Sequence, residues 1–325
     1  MKILLVSNFY PPYFIGGDSI HVKYLRELLV EKGHSVEILT NGDAERATER
    51  AKICSSPEKT RGVIRIKTKF WLIRLFCAKF LGFGYKRIVE PIILKNKYDV
   101  VHFHNIDLFG QNLLKISHIN KIITLHDDYW LNKKFRNDVK VICPSMHIYK
   151  KVNSSRKYYV PNFVPFFHKK EKNEDYYLYS GVLERHKGII DLIKVFNKAG
   201  KRLFICGDGK LRKYVVRHKK PNISYFGRLS HKKNIEMISK CKALVLPSYK
   251  ENCPLVILEA LSLKKPVIAR DIPQIKEITK DNLFRNNAEF EMLLDNPKKG
   301  LLAERFTKEK FYEKYIKLIS RRENA

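Results

Sequence analysis

The chain of 325 residues has no run of about 18 uncharged apolar residues, so no transmembrane helix is expected. It has no Cys-x-x-Cys pair. None of its six cysteines, at 54, 77, 143, 206, 241 and 253, falls in a His/Cys cluster with zinc spacing. Most of them stand in apolar runs. That pattern argues against a disulfide framework and a structural metal, and for reduced, cytosolic thiols. The start, MKILLVSNFYPPYF, lacks the long apolar region and small-residue cleavage site of a signal peptide; KILLVSNFY reads as a buried first strand. No helix-turn-helix, RNA-binding or zinc-finger pattern is present. Acidic residues are also scarce, at 33 against 64 Lys and Arg, which leaves a net charge of +31. Three partners fit that excess: nucleic acid, an anionic membrane surface or acidic small molecules. A compositional bias toward Lys, Asn and Ile throughout fits it as well. With no nucleic-acid motif to accompany the charge, nucleic acid is the least favoured.

What is present is an alternation of short apolar runs and helical patterns. KILLVSN, SVEILT, DVVHFHN, KIITLHD and VKVICPS read as strands, with the helix SIHVKYLRELLVEKG ending at Gly33. A charge run at 166–175, FFHKKEKNED, marks a linker. A second series follows, with YYLYSGVL, KRLFICGDG, ISYFGRLS, KALVLPSY and KPVIARD as strands. Its helices are KGIIDLIKVFNKAG, KLRKYVVRHKK, KKNIEMISKC and PLVILEALSL. Strands alternating with helices imply parallel sheets covered on both faces, so the chain is α/β and built of two halves.

The most informative stretch is KENCPLVILEA, residues 250–260. A helix starting near Pro254 presents the unbonded N–H groups of Leu255 and Val256 at its positive end, which is an anion site. Glu259 lies about 7.5 Å further along the axis. It sits in a helix that is apolar on nearly every side, so it needs hydrogen-bond donors, and ribose hydroxyls would supply them. Glu251, in the loop before the helix, is placed for sugar hydroxyls beyond the phosphate. The segment 64–97 is basic, aromatic and apolar around most of a helical wheel. It fits either a helix at a membrane interface or a buried domain helix with lysines reaching outward.

In order along the chain, PPYFIGGDSIHVKYLRELLVEKGHSVEILT, DVVHFHN, TLHDDYW, VPNFVP, SGVLERHKGIIDLI, FICGDG and PSYKENCPLVILEALSLKKPVIARDIPQIKEI resemble the retaining glycosyltransferases of family 4, also called glycosyltransferase group 1. The resemblance covers nearly the whole chain. It implies the GT-B fold, two Rossmann-like domains facing across a cleft. The acceptor-side domain is expected at 1–165, the nucleotide-sugar domain at 166–305, and a terminal helix at 306–325 crossing back to the first domain.

The resemblance also implies roles. Lys187 and the helix tip at Leu255 and Val256 would stabilise the charge growing on the leaving diphosphate. Glu251 would hold donor-sugar hydroxyls and Glu259 the ribose. Gly16 and Gly17 would let backbone approach the phosphate or the acceptor. Gly227, Arg228 and Leu229 resemble a loop whose backbone contacts the base. His126, at a strand end, is assigned to the transferred sugar, with Asp127 beside it either orienting the loop or capping a helix. His102 and His104 are weaker candidates on a half-buried face, and GDG at 207–209 reads as a tight turn. No metal or other cofactor is expected, and a UDP- or GDP-sugar is the donor. One departure stands out: the family's diphosphate-binding arginine is here Val182, and strand alternation, if the strand continued, would point Arg185 elsewhere. The expected function is retaining transfer of a sugar to a cell-surface polysaccharide or lipid-linked oligosaccharide. The expected location is cytoplasmic, peripheral on the inner face of an anionic membrane. A soluble acceptor, or a binding protein with weakened catalysis, are the alternatives.

Overall fold

A computed structural model describes residues 1–13, 16–43, 62–81, 84–117, 119–167 and 174–320. Most of the expected linker, and Cys54, lie outside the described residues. Contacts divide the chain into two units. Met1–Pro161 with the chain from Phe311 onward forms the N-terminal unit, and Asn162–Lys310 forms the second.

In the N-terminal unit seven strands form one parallel sheet. They are β1 (Lys2–Ser7), β2 (Ser35–Thr40), β3 (Val63–Arg65), β4 (Val100–His104), β5 (Asn120–Thr124), β6 (Val139–Cys143) and β7 (Lys157–Tyr159). Their order is β3-β2-β1-β4-β5-β6-β7. Every pairing is parallel, with Leu4 opposite Val101 and Val101 opposite Lys121. The apolar run of β1 follows from cover on both faces: Ile3, Leu4, Leu5 and Val6 are wholly buried. Strand β4 is buried at every position. His102 and His104 therefore do not lie on a half-buried face, because this strand is central and has cover on both sides. Helix α1 (Gly17–Glu31) ends just before Gly33, as its pattern implies.

The second unit repeats the architecture. Its strands are β8 (Tyr177–Ser180), β9 (Leu203–Cys206), β10 (Ile223–Gly227), β11 (Ala243–Leu246), β12 (Val267–Arg270) and β13 (Leu283–Phe284). They pair in the order β10-β9-β8-β11-β12-β13, again all parallel. The short edge strands β3, β7 and β13 have too few residues to show a pattern in sequence.

The segment 64–97 is not one helix. It holds β3, then α2 (Trp71–Leu81) and α3 (Lys86–Lys95). On α3, Val89 and Ile93 are buried against the core. On α2 only Ala78 is buried. Leu72, Ile73, Phe76, Phe80 and Leu81 are all more than half exposed, as is Phe70 just before them. The reading of this stretch as a buried domain helix thus holds for α3 and fails for α2. Among the described residues no helix is long and apolar enough to cross a membrane.

Helices α4 (Met146–Lys151), α5 (Ile189–Ala199), α6 (Arg212–His218), α7 (His231–Lys240), α8 (Leu255–Ser262), α9 (Pro273–Lys276) and α10 (Asn287–Leu293) cover the remaining faces and edges. The chain ends in α11 (Lys308–Ser320), which from Phe311 belongs to the N-terminal unit. Several polar contacts among the described residues fasten it there. The Tyr315 hydroxyl lies 2.9 Å from His102 Nδ1, Tyr312 pairs with His34 Nε2 at 2.9 Å, and Lys140 Nζ donates to Leu318 O at 2.7 Å. Tyr315 is wholly buried, so its hydroxyl has no water to fall back on. Tyr315→Phe should lower unfolding free energy by about 1–3 kcal/mol, since it leaves a buried His102 nitrogen unmatched. A urea titration showing an unchanged midpoint would remove this contact from the forces holding α11.

Candidate functional site

In a parallel sheet the free carboxyl ends of the strands all lie along one edge. Where strand order reverses, the loops on either side part and leave room for a ligand. Each unit has one such reversal, between β1 and β4 and between β8 and β11. Most of the expected site residues follow these strands or lie in the helices beside them, while His126 follows β5 and Gly227–Leu229 lie at the end of β10.

In the second unit Lys187 follows β8 and Glu251 follows β11, so they flank the reversal. Lys187 Nζ donates to Glu251 Oε1 at 2.7 Å. Glu251 is only 8% exposed, and the ammonium compensates a carboxylate that would otherwise be costly to bury. Lys187 is held by a short 3-10 turn, Arg185–Lys187, which ends on Gly188 with φ 71°. A Cβ at Gly188 would stand 2.1 Å from the Pro247 carbonyl oxygen. Only glycine lets the turn after β8 pack against the segment after β11, and that packing brings Lys187 and Glu251 together. Because β8 stops at Ser180, strand alternation does not direct Arg185. Instead Arg185 lines a cavity of about 440 Å³ with His186, Gly188, Ile190, Asp191 and Tyr249. Beside it Arg270 binds Asp191 Oδ2 at 2.7 Å, donates to Pro247 O at 3.1 Å and stacks 4.0 Å over the Tyr249 ring.

Pro254 takes the cap position of α8 with extended backbone, and the first helical bond at this end runs from Ile257 N to Pro254 O. Leu255 and Val256 therefore form the helix tip. Glu259 is buried, 3% exposed, as the apolar surroundings imply. Its Oε1 already has a donor, His231 Nε2 at 2.8 Å. Sequence reasoning missed His231: it opens α7 in an otherwise polar run, and nothing local ties it to a carboxylate 28 residues on. Gly227 ends β10 with φ 68°, and Arg228 and Leu229 continue into the loop before α7.

In the N-terminal unit Gly16 has φ 92°, a Cβ there would stand 3.6 Å from Asp18 Oδ1, and Gly17 is the first residue of α1. His126 follows β5. Its Nε2 lies 3.1 Å from His104 Nδ1, and its backbone N–H donates to Asn105 Oδ1 at 3.2 Å. Asp127 does both jobs considered for it. Its Oδ1 accepts from Tyr129 N, capping a short 3-10 turn, and its Oδ2 accepts from Asn105 Nδ2. His21, on α1, joins the same cluster: its ring centroid is 5.0 Å from that of His126 and 5.7 Å from that of His104. Along the chain no histidines have zinc spacing, yet in space these three each offer a nitrogen within 4.8 Å of the others. Burial lowers the pKa of all of them, that of His126 to about 3, so near neutral pH they are uncharged imidazoles. Asp18 is raised to about 6, first by burial and then by the charges of Asp127 and Asp107.

With this geometry in place, comparison with known proteins identifies the class. The family profile for glycosyl transferases group 1 matches residues 162–325, just over half of the chain, and that for glycosyltransferase family 4 matches residues 15–166. The chain belongs to the glycosyl transferases group 1 family. It is a nucleotide-sugar-dependent glycosyltransferase of GT-B fold. An uncharacterized glycosyltransferase of Methanocaldococcus jannaschii is 27% identical over 352 residues, covering 99% of this chain and 90% of its own. Among solved structures, sucrose-phosphate synthase from Thermosynechococcus elongatus has TM-score 0.73 at 17% identity, covering 98% of each chain. Anabaena HepE in complex with UDP-glucose has TM-score 0.70 at 14% identity, covering 98% of this chain and 99% of its own.

The turn at Gly188 supplies a test of how the site is built. Gly188→Ala forces either the backbone or the Pro247 carbonyl to move and should cost at least about 1–3 kcal/mol, the scale of stored backbone strain. Chemical denaturation that finds no loss would mean the two segments relax apart without penalty.

Proposed function

We propose that this protein transfers a hexosyl group from a UDP- or GDP-sugar, with retention at the anomeric carbon, to a cell-surface polysaccharide or lipid-linked oligosaccharide. The observation that carries the reading is the Lys187–Glu251 pair at the strand-order reversal of the second unit, beside the tip of α8. As the glycosidic bond breaks, negative charge grows on the leaving diphosphate. Lys187 and the N–H groups of Leu255 and Val256 stabilise it there. Glu251 accepts from donor-sugar hydroxyls while holding Lys187 in place. Glu259, oriented by His231, accepts from the ribose hydroxyls. Gly227, Arg228 and Leu229 take the base. In the N-terminal unit Gly16, Gly17 and His126 serve the sugar and acceptor side. HepE, solved with UDP-glucose, supports a uridine donor by analogy of fold.

Val182, standing where the family carries a diphosphate-binding arginine, favours a second reading: a nucleotide-sugar-binding protein with weakened catalysis. Against it stands Arg185, exposed at the cavity rim and two residues from Lys187, as a substitute cation.

The acceptor reading rests on the surface. The exposed apolar side chains of α2 are interleaved with cations, and a helix of this kind lies at a bilayer interface with its lysines toward anionic headgroups. Lys67, Lys69 and Lys79 are exposed, whereas Arg74 donates to Gly84 O at 2.7 Å and is partly spent on the fold.

Glu259→Ala should weaken nucleotide binding by about 1.5–3 kcal/mol, the value of a hydrogen bond to a charged group, as read by calorimetry. Unaltered affinity in a folded variant would take Glu259 out of the donor site. For Lys187→Ala, turnover should fall by more than donor affinity does, because charge on the diphosphate peaks late in bond breaking; equal losses would restrict Lys187 to ground-state binding. On the acceptor side, vesicles containing anionic lipid should bind the protein and neutral ones should not. Binding should decline as salt approaches about 0.5 M and weaken when Lys67, Lys69 and Lys79 become Gln, since each contact is worth about 1 kcal/mol and is screened. Sedimentation that ignores lipid charge and salt would point instead to a soluble acceptor.

A further inference from the structure

We propose that His21, His104 and His126 form a binding site for a divalent transition metal of the zinc type in the N-terminal unit. The three side chains come from different rigid elements: His21 from α1, His104 from the end of β4 and His126 from just after β5. Each offers one ring nitrogen within 4.8 Å of the other two. Zinc–nitrogen bonds of about 2.0–2.1 Å place the ligands of a tetrahedral ion about 3.3–3.4 Å apart. His104 Nδ1 and His126 Nε2, at 3.1 Å, already stand near that edge length. His21 offers its nitrogen within 4.8 Å of both and closes the remaining distance on binding.

The chemistry of the donor set selects the ion. Imidazole suits zinc and its first-row neighbours, while magnesium and calcium require oxygen ligands. Three histidines leave a fourth position for water or a sugar hydroxyl, as in zinc sites that stay open. The site is preassembled in the fold: His21 and His104 are buried and His126 is partly so, and their rings come together without any bound ion. His102 buttresses the set from behind. Its ring lies 4.0 Å from that of His104 and is held by the Tyr315 hydroxyl at 2.9 Å and Thr124 Oγ1 at 2.8 Å. The double positive charge also has compensation nearby. Asp18 lies one turn before His21 on α1, and Asp127 adjoins His126. In a chain of net charge +31, carboxylates near the cluster in sequence are a local environment suited to a cation.

The consequence for function rests on the proposed role of His126 toward the sugar. A ring engaged by metal cannot also bond a hydroxyl, so the ion acts as an inhibitor and is not needed for transfer. EDTA should leave the rate unchanged or raise it.

The test uses the full chain without a polyhistidine tag. Cobalt(II) should bind one equivalent and give the intense visible absorption of a tetrahedral nitrogen site, and zinc should displace it. His21→Gln and His104→Gln should each weaken zinc binding at least tenfold by calorimetry. His218→Gln, remote on α6, should not weaken it. Zinc should slow transfer at the concentration that fills the site, with each variant's inhibition expressed against its own metal-free rate. A wild-type protein that takes up no cobalt overturns the proposal whether or not the variants fold. So does cobalt binding that survives both substitutions. Stoichiometric binding through these histidines without inhibition upholds the metal site and instead overturns the assignment of His126 to the sugar.

Discussion

A parallel sheet covered by helices on both faces has its backbone groups paired and its faces sealed, so ligands have access mainly at the carboxyl edge. Everything placed for chemistry in this protein depends on that constraint. Reversal of strand order opens the edge at one point in each unit, between β1 and β4 and between β8 and β11. Lys187, Glu251 and His126 follow strands bordering a reversal or the strand next to it, and His104 ends such a strand. Apart from His104 at the end of β4, the strands supply none of these side chains. They contribute rigidity, and the loops contribute function.

A second constraint is electrostatic. The chain is strongly basic, and its few carboxylates are used sparingly inside. Glu251 is paired with Lys187, Glu259 with His231, and Asp191 with Arg270. In each pair at least one partner is largely shielded from water, where an unpaired charge would be costly. The pairs at Glu251 and Glu259 also fix the orientation of their side chains, so stability and positioning are served by the same bonds. Lys121, Lys140 and Lys265 are buried on backbone carbonyls, and much of the other positive charge faces outward, where solvent screens it. On α2 it lies among exposed apolar side chains instead of covering a core.

The terminal helix shows how a late segment completes an early unit. Tyr315 reaches His102, Tyr312 reaches His34, and Phe311 lies against His21 with ring centroids 5.9 Å apart. The histidine cluster is thus walled by residues almost two hundred positions or more further along the chain. That wall is part of why the imidazoles are buried and neutral.

Much of this was legible in the sequence alone. The alternation of apolar runs and helical patterns determined two α/β halves with parallel sheets, because a strand buried on both faces must be apolar throughout. The proline and two glutamates of residues 250–260 determined a helix tip with a buried carboxylate behind it, since these depend on local geometry. Tertiary structure alone decided the rest. The edge strands β3, β7 and β13 are too short to carry a periodic signal. The break of 64–97 into a strand, an exposed helix and a packed helix depends on which faces find a partner. The pairing of Glu259 with His231, and the meeting of His21, His104 and His126, join residues whose separations bear no relation to any helical or strand period. Only the order in which strands pair brings such residues to one edge, and pairing order is a property of the whole chain.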